Sequence, residues 1–233
     1  DHQEHRIDSV VAQLSRLLEV TGLRKSYGSV RVLEVDFSLE PGDFCLLLGE
    51  NGVGKTTFFR CLLGLERYEG SIRVNGGPQK DGILGVLDQA MMYPSWTVAR
   101  NVRYLLNSSD ALSRAPIRSL IDVGLLRRRV GRLSTGQKKL VLRAVALASE
   151  VPVVLLDEFA NGLDQEARTK FREAVRFELA AGRRSFIATG HDLTAFAELP
   201  TRVSVMKDGR VLDVTPQYDS GRSIEEIYEH HLA

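Results

Sequence analysis

Two segments of this chain carry residue types that can hold phosphate groups. The first, Gly49 to Thr56, reads GENGVGKT and fits the pattern G-x-x-x-x-G-K-[ST] of a loop that binds nucleoside triphosphates. The second, Leu133 to Gln137, reads LSTGQ and stands just before a predicted helix rich in Ala and Leu, where an anion would also be stabilised. Either both segments grip one nucleotide, or each supplies half of a site that another copy completes.

The first segment predicts a phosphate-binding loop of the Walker A type. Its glycines allow backbone N–H groups to face a β-phosphate, and the N-terminus of the helix that follows favours negative charge. Lys55 is predicted to lie between the β- and γ-phosphates, and the Thr56 hydroxyl is predicted to bind Mg²⁺. The residues expected to contact the nucleotide in this loop are Gly49, Asn51, Gly52, Gly54, Lys55, Thr56 and Thr57.

Two carboxylates follow a short apolar run later in the chain. The run Val153 to Leu156 is typical of a central strand buried on both faces, and Asp157 and Glu158 come directly after it. Carboxylates are costly to bury without a cation, so we expect Asp157 to serve Mg²⁺, as a ligand or as a partner of a ligand. Glu158 is then left to polarise a water molecule against the γ-phosphate, which is the role of a catalytic base.

Two further polar residues come at the ends of predicted strands. Gln89 follows the short strand Ile83 to Leu87, and His191 follows the strand Ser185 to Thr189. The carboxyl ends of parallel strands meet at one edge of a sheet, so both residues are expected near Asp157. There Gln89 could reach Mg²⁺ or the attacking water, and His191 could donate a hydrogen bond to the γ-phosphate.

The elements that must position these residues alternate between strands and helices. This alternation predicts an α/β fold built on a parallel sheet. The pattern predicts turns at Asn75-Gly76 and at Lys207-Asp208-Gly209. The predicted helices are Lys55 to Leu63, Leu140 to about Ser149, Gln165 to Ala180 and Ser223 to His230. Residues 1–16 are predicted to be an N-terminal extension of a domain spanning 17–233, into which a compact helical insert is placed at about 90–145.

Composition narrows the classes of partner. The net charge is +1 and 26% of the residues are charged, which gives no strong argument for a nucleic-acid partner or an acidic membrane surface. The longest apolar stretches are too short to span a bilayer, and no secretory signal is visible at the N-terminus. Cys45 and Cys61 lie in apolar surroundings without a ligand pattern, which is typical of buried thiols in a reducing compartment.

Tyr27 on its own reads as a surface residue of a loop. Two further groups of residues have two readings each. The cluster of Met91, Met92, Tyr93 and Trp96 is either the core of the helical insert or an exposed groove that receives a helix of a partner. The run Arg127 to Arg129 is either a solvated charged turn or a contact for lipid headgroups or a partner loop.

Taken together, these residues resemble the nucleotide-binding domains of ABC transporters. GENGVGKT, Gln89, LSTGQ, VVLLDE, the segment NGLD (Asn161 to Asp164) and His191 occur in the order typical of that family. The resemblance covers about residues 17 to 230, and LSTGQ is its specific element. Two departures are mild: Thr135 stands where the commonest form has Gly, and Phe159 stands where Pro is usual.

The resemblance implies a fold and a role for each motif. It implies a phosphate-loop NTPase core of parallel strands with an antiparallel β subdomain and a small helical subdomain. Two copies would pack head to tail around two ATP molecules, so that Ser134, Gly136 and Gln137 of one copy meet the nucleotide held by Lys55 of the other. Tyr27 would stack on adenine, Glu158 would be the catalytic base, Gln89 a metal and membrane-partner contact, His191 the γ-phosphate switch and Asp164 a contact across the interface.

The function that follows is an ATPase coupled to transport. The chain would hydrolyse ATP with Mg²⁺, form a homodimer, and drive a separate integral membrane permease subunit from the cytoplasmic face of the cell membrane, with no nucleic acid involved. STGQKK, FANGLD and the short insert favour an export-type bacterial subfamily. The alternative is a soluble ABC-type ATPase that acts as an ATP-gated switch in a non-transport complex for DNA repair, translation or the cell-envelope machinery.

Overall fold

The structure is a computed structural model of the 233-residue chain. It describes residues 16–79, 82–86, 92–158, 161, 163–182, 184–190 and 198–232. Four residues discussed above, Gln89, Met91, Phe159 and His191, lie outside the described residues, as does most of the N-terminal extension.

Ten strands in the described part of the chain form two sheets. The strands are β1 (Leu18–Tyr27), β2 (Val30–Leu39), β3 (Phe44–Leu48), β4 (Glu69–Val74), β5 (Gly77–Pro78), β6 (Ile83–Val86), β7 (Val153–Leu156), β8 (Ser185–Ala188), β9 (Arg202–Lys207) and β10 (Arg210–Asp213). The larger sheet has the order β10-β9-β3-β8-β7-β6, and the smaller one has the order β2-β1-β4-β5.

The larger sheet carries the motifs at the ends of its central strands. Strands β9, β3, β8, β7 and β6 are parallel, and β10 pairs antiparallel at one edge. All residues of β3, β7 and β8 are buried, as expected for strands covered on both faces, and this explains their continuous apolar sequences. Strand β3 leads into the phosphate loop and β7 into the two carboxylates, so the sheet brings both segments to one edge.

Eight α-helices occur among the described residues. They are α1 (Lys55–Leu62), α2 (Val98–Leu105), α3 (Ala115–Leu120), α4 (Val123–Arg127), α5 (Thr135–Ala148), α6 (Gln165–Ala180), α7 (Thr215–Asp219) and α8 (Ile224–Leu232). Helices α2, α3 and α4 lie in the stretch from which the helical insert was predicted, and α5 leads from it back to β7. The apolar residues of α2 to α5 join those on one face of the larger sheet in a single buried cluster.

Helix α5 begins five residues earlier than the sequence predicted. The apolar pattern predicts a helix from Leu140, whereas the helix starts at Thr135, so most of LSTGQ forms its first turn. The physical reason is a capping box: the Ser134 hydroxyl accepts a hydrogen bond from the Gln137 amide, and the Gln137 side chain accepts one from the Ser134 amide. These paired contacts stabilise a helix start in a polar stretch that carries no apolar periodicity.

The smaller sheet is antiparallel and meets the larger one through a hairpin. The Glu34 amide on β2 donates to the Gly209 carbonyl in the β9–β10 turn at 2.8 Å, and Glu34 also pairs with Arg210 at 3.0 Å. Gly209 has a φ of 71°, and a Cβ atom there would lie 2.3 Å from the Val32 carbonyl oxygen. Only glycine therefore allows the two sheets to approach this closely.

The aromatic and methionine cluster divides between core and surface. Met92 is buried within the large apolar cluster, which agrees with the core reading for this residue. Tyr93 is 45% exposed and stacks on Trp96 with ring centroids 4.3 Å apart, while Tyr104 packs edge-on against both rings. An aromatic platform thus remains on the surface beside the buried methionine.

Both cysteines are buried free thiols. Cys45 lies on β3 and Cys61 on α1, and neither is in a disulfide. Burial raises the pKa of the Cys45 thiol to about 12 and that of Cys61 to about 11, so both are held in the neutral form. Their surroundings agree with the interpretation of these residues as small apolar core residues.

Candidate nucleotide site

The phosphate loop runs between β3 and α1 and ends at Gly54. This residue caps α1 with a φ of 115°, a left-handed conformation that favours glycine. A Cβ atom at Gly54 would lie 2.9 Å from Leu33 Cδ2, so a side chain would also collide with β2. The amides at the start of α1 have no partners within the helix, and the loop therefore presents donors and the positive end of the helix dipole to an anion.

Lys55 places a buried cation inside this loop. Its Nζ donates hydrogen bonds to the Gly49 carbonyl at 2.5 Å and the Glu50 carbonyl at 2.8 Å, and the residue is 8% exposed. Burial lowers the pKa of the Lys55 ammonium, and the nearby carboxylates of Glu158, Asp157 and Glu50 oppose that shift. The structure therefore brings the cation of the phosphate loop close to the carboxylates after β7.

A chain of hydrogen bonds joins the phosphate loop to β7 and β8. The Thr56 hydroxyl donates to Asp157 Oδ2 at 3.2 Å, although 101 residues separate them. The Thr189 hydroxyl donates to Asp157 Oδ1 at 2.6 Å. Both oxygens of the carboxylate are thus held, and Asp157 is fixed beside the residue predicted to bind Mg²⁺.

Glu158 stands next to this carboxylate in an unusual backbone conformation. Its φ is 48°, in the left-handed region that a residue with a long side chain rarely adopts. Its amide donates to the Thr189 hydroxyl at 3.1 Å, and one oxygen of its side chain accepts from Asn161 Nδ2 at 2.7 Å. The surrounding contacts therefore specify both the backbone turn and the direction of the carboxylate.

The oxygen atoms at this point suit a magnesium ion. Mg²⁺ prefers hard oxygen ligands and is usually held by one or two protein groups together with phosphate oxygens and water. Thr56 and Asp157 offer a hydroxyl and a carboxylate oxygen in direct contact, which fits that set. Among the described residues no group of three or more His, Cys, Asp or Glu side chains forms a separate metal site.

The LSTGQ segment forms a second, exposed helix start. Ser134 is exposed at the N-terminus of α5, and Gly136 and Gln137 are half-buried in its first turn. Arg128 donates to the Arg132 carbonyl at 2.7 Å and lies 3.4 Å from Gln137 Oε1, so the exposed arginine turn packs beside the cap. Within the described residues, no hydrogen bond joins Ser134, Gly136 or Gln137 to the phosphate loop.

Asp164 and Tyr27 lie at the surface. Asp164 is the N-cap of α6 and accepts from the Ala167 amide at 2.8 Å. Tyr27 is 48% exposed at the end of β1, and Lys25 Nζ lies 4.6 Å from the centre of its ring. Lys25 in turn pairs with Glu66 at 2.9 Å, and this hydrogen bond raises the pKa of the Lys25 ammonium. The Lys25 ammonium thus lies against part of the Tyr27 ring, and much of the rest of the ring is open to solvent.

The family is decided by comparison with known proteins. A family model described as ABC transporter matches residues 32–161, which is more than half of the chain and includes the phosphate loop, LSTGQ and both carboxylates. The chain belongs to the ABC transporter family. The phosphate loop and both carboxylates, from which ATP hydrolysis is predicted, lie within the matched residues.

Curated relatives of this ABC domain are ATP-binding proteins of import systems. One is the sn-glycerol-3-phosphate import ATP-binding protein UgpC 1 of Rhizobium johnstonii, 32% identical over 93% of this chain and 61% of the relative. Another is the Fe(3+) ions import ATP-binding protein FbpC of Yersinia pestis, 33% identical over 85% of this chain and 62% of the relative. The chain thus spans about three-fifths of the length of these relatives. Their names do not support the predicted export-type subfamily.

Solved structures confirm the predicted fold class of this ABC domain. The structure of an ATP binding subunit of an ABC transporter superposes with a TM-score of 0.82 at 24% identity, covering 92% of this chain and 98% of the other. The structure of cbiO1 from Clostridium perfringens, described as part of the ABC transporter complex cbiONQ, gives a TM-score of 0.74 at 23% identity, covering 93% and 94%. The α/β fold with a parallel core and an antiparallel sheet is therefore shared.

Three residues that contribute to the site of this ABC domain escaped the sequence prediction. Thr189 holds Asp157 and the Glu158 amide, and Lys25 supports Tyr27. Arg143 lies on α5 and donates to the backbone carbonyls of Glu158 and Asn161. Only Thr189 had a signal in the sequence, because it ends a strand adjacent to β7. Lys25 and Arg143 act through long-range contacts that no local sequence motif predicts.

Proposed function

We propose that this chain binds and hydrolyses ATP as the energy-supplying subunit of a membrane transporter. In this proposal two copies pack head to tail around two ATP molecules and drive a separate membrane-spanning permease subunit. The observation that carries the proposal is the link from Thr56 to Asp157, since it joins the phosphate loop to the carboxylate pair. A phosphate loop alone binds a triphosphate, but a positioned Glu158 beside it can also promote hydrolysis.

We propose a role for each group around the phosphates. Lys55 and the amides at the start of α1 stabilise the negative charge of the β- and γ-phosphates. Thr56 and Asp157 would hold Mg²⁺, which, when bound, neutralises the phosphate charge. Glu158 orients a water molecule for attack on the γ-phosphorus and accepts its proton, while Asn161 holds the carboxylate in place. Gln89 and His191 keep their proposed roles toward the metal, the water and the γ-phosphate.

The second half of each site is proposed to come from another copy. Ser134, Gly136 and Gln137 form a start of a long helix, whose amides and hydroxyl suit a γ-phosphate. Within one chain this segment makes no hydrogen bond to the phosphate loop among the described residues. An exposed Asp164 at the start of α6 is available for contact with the other copy, and Tyr27 for stacking on adenine.

A membrane partner and the direction of transport are also proposals. None of the helices in the described part of the chain is long and apolar enough to cross a membrane. The relatives named above are import ATP-binding proteins, so we propose uptake in place of the export suggested by the sequence. Those relatives are named for sn-glycerol-3-phosphate and Fe³⁺, and this diversity supports the proposal that the partner subunits choose the substrate.

Substitution of the catalytic carboxylate tests this proposal. Glu158→Gln should keep ATP affinity within about twofold and slow hydrolysis by at least about 100-fold, since a positioned general base contributes about that much. The Glu158→Gln chain should then accumulate as an ATP-bound dimer. Size-exclusion chromatography with light scattering in saturating Mg-ATP measures this dimer. Glu229→Gln, at an exposed position of α8, is the matched control and should behave as the native chain. A Glu158→Gln protein that hydrolyses ATP at the native rate would overturn the catalytic assignment, and one that stays monomeric would overturn the dimer for this chain.

A further inference from the structure

Arg143 is a charged residue in the buried face of helix α5. It is 2% exposed, and its neighbours on the helix, Val141, Ala144 and Val145, belong to the large apolar cluster. Burying a guanidinium group is costly unless its N–H groups find acceptors. The contacts that Arg143 makes must therefore account for its presence in this position.

Those contacts reach the turn after β7 that carries Glu158, called the catalytic turn below. Arg143 Nη2 donates to the Glu158 carbonyl at 3.1 Å and to the Asn161 carbonyl at 3.2 Å. These two carbonyls bracket the turn after β7, in which the Asn161 amide also donates to the Glu158 carbonyl at 3.1 Å. One guanidinium nitrogen thus holds both ends of the turn that gives Glu158 its left-handed backbone and its side-chain hydrogen bond to Asn161.

Helix α5 connects this contact to the LSTGQ segment. Arg143 lies nine residues after Ser134, which corresponds to about 13 Å along a continuous helix. A helix of this kind moves as one body, so a displacement of its N-terminus carries Arg143 with it. The two elements joined in this way are the exposed helix start and the turn that carries the catalytic carboxylate.

We infer that Arg143 is a positioning residue that couples the LSTGQ helix of a chain to the catalytic turn of the same chain. The inference rests on the proposed function, in which LSTGQ contacts the nucleotide of the other copy. Engagement of Ser134 by that nucleotide would set the position of α5, and Arg143 would transmit this position to Glu158. Each chain would therefore hydrolyse its own ATP efficiently only when it also grips the ATP of its partner.

The test uses three variants of the full chain. Arg143→Met keeps a long, unbranched side chain that suits a buried helix face but removes all donors. Arg143→Lys keeps a cation that can still donate to one of the two carbonyls. Leu147→Met is the matched control, because Leu147 is 1% exposed on the same helix and Leu-to-Met changes conserve volume.

Kinetics separate a positioning role from a merely structural one. Arg143→Met should lower kcat by about 10- to 100-fold, the scale expected when a catalytic group is misplaced by about 1 Å. The Kd for ATP and the Tm should stay close to the native values, and Arg143→Lys should recover part of kcat. A native kcat in Arg143→Met would overturn the inference. A loss of kcat matched by an equal loss of ATP affinity and Tm would overturn it too, because it would indicate general damage to the fold.

Hydrogen exchange tests whether Arg143 holds the turn, without any ATP hydrolysis. The Asn161 amide, which donates to the Glu158 carbonyl, should exchange at least about tenfold faster in Arg143→Met than in the native chain or in Leu147→Met. Unchanged exchange at Asn161 would overturn the inference. If the native chain itself failed to hydrolyse ATP, the proposed function would fall, whereas the exchange result would still decide whether Arg143 holds the turn.

Discussion

Replacing Lys55 with Met is the most direct test of the phosphate loop. Lys55 Nζ binds the Gly49 and Glu50 carbonyls in a buried position, where a triphosphate can take over one of these contacts. A hydrogen bond between charged groups contributes about 1.5–3 kcal/mol. At 1.4 kcal/mol per factor of ten, the loss of one such bond should raise the Kd for ATP by about 10- to 150-fold.

The fold should tolerate this change. Met is about as long as Lys. Replacing Lys55 with Met removes a charge whose burial is unfavourable, as the lowered pKa of Lys55 indicates. Water can replace the lost donor at the carbonyl of the exposed residue Glu50, whereas the carbonyl of the buried residue Gly49 loses its donor. We therefore expect the free energy of unfolding to fall by no more than about 3 kcal/mol, the cost of one unsatisfied buried acceptor.

Titration calorimetry with Mg-ATP on folded protein measures the affinity. Lys170→Met is the matched control, since Lys170 is exposed on α6 and its ion pair with Glu166 is of a kind that contributes little. An unchanged Kd in Lys55→Met would refute the assigned role of the ammonium. A fall in Tm of more than about 10 °C would instead show that Lys55 serves mainly to hold the loop together.

Two further predictions concern the other parts of the site. Ser134→Arg places a large side chain on the exposed cap of α5. ATP binding by the monomer should stay within about twofold of native, while steady-state hydrolysis should fall by at least about 100-fold. Hydrolysis at the native rate would show that LSTGQ has no role at the γ-phosphate. Tyr27→Ala should weaken ATP binding by about 5- to 150-fold, because stacking of a base on an aromatic ring contributes about 1–3 kcal/mol. The Kd of Tyr27→Phe for ATP should stay near the native value. Equal Kd values for the native chain and both variants in a fluorescent-ATP titration would exclude adenine stacking.

The parts of the fold that could be predicted are those with local signals. The run Val153 to Leu156 followed by Asp157 predicts a buried strand with acids at its end, and the structure has both. The start of α5 was missed because the prediction followed apolar periodicity, although Ser134 and Gln137 already have the spacing of a capping box. Propensity alone underestimates a helix whose first turn is stabilised by side-chain caps.

The parts that could not be predicted depend on long-range contacts with the backbone. Arg143 is the single charged residue in the apolar run Leu140 to Ala148, and its acceptors are backbone carbonyls, which every residue has. Lys25 depends on Glu66, 41 residues away. The export prediction failed to gain support for a different reason, because motifs shared by both directions of transport describe how ATP is handled and not where the substrate goes.

The close approach of the two sheets at Gly209 links two parts of the proposed site. Tyr27, proposed to meet the base, lies on the antiparallel sheet, and the loop proposed to meet the phosphates follows β3 of the parallel sheet. The sheets meet where the β9–β10 turn approaches Val32, and a side chain at position 209 would collide with the Val32 carbonyl. A substitution of this glycine would therefore shift one sheet against the other, and with it the two groups proposed to bind opposite ends of one nucleotide.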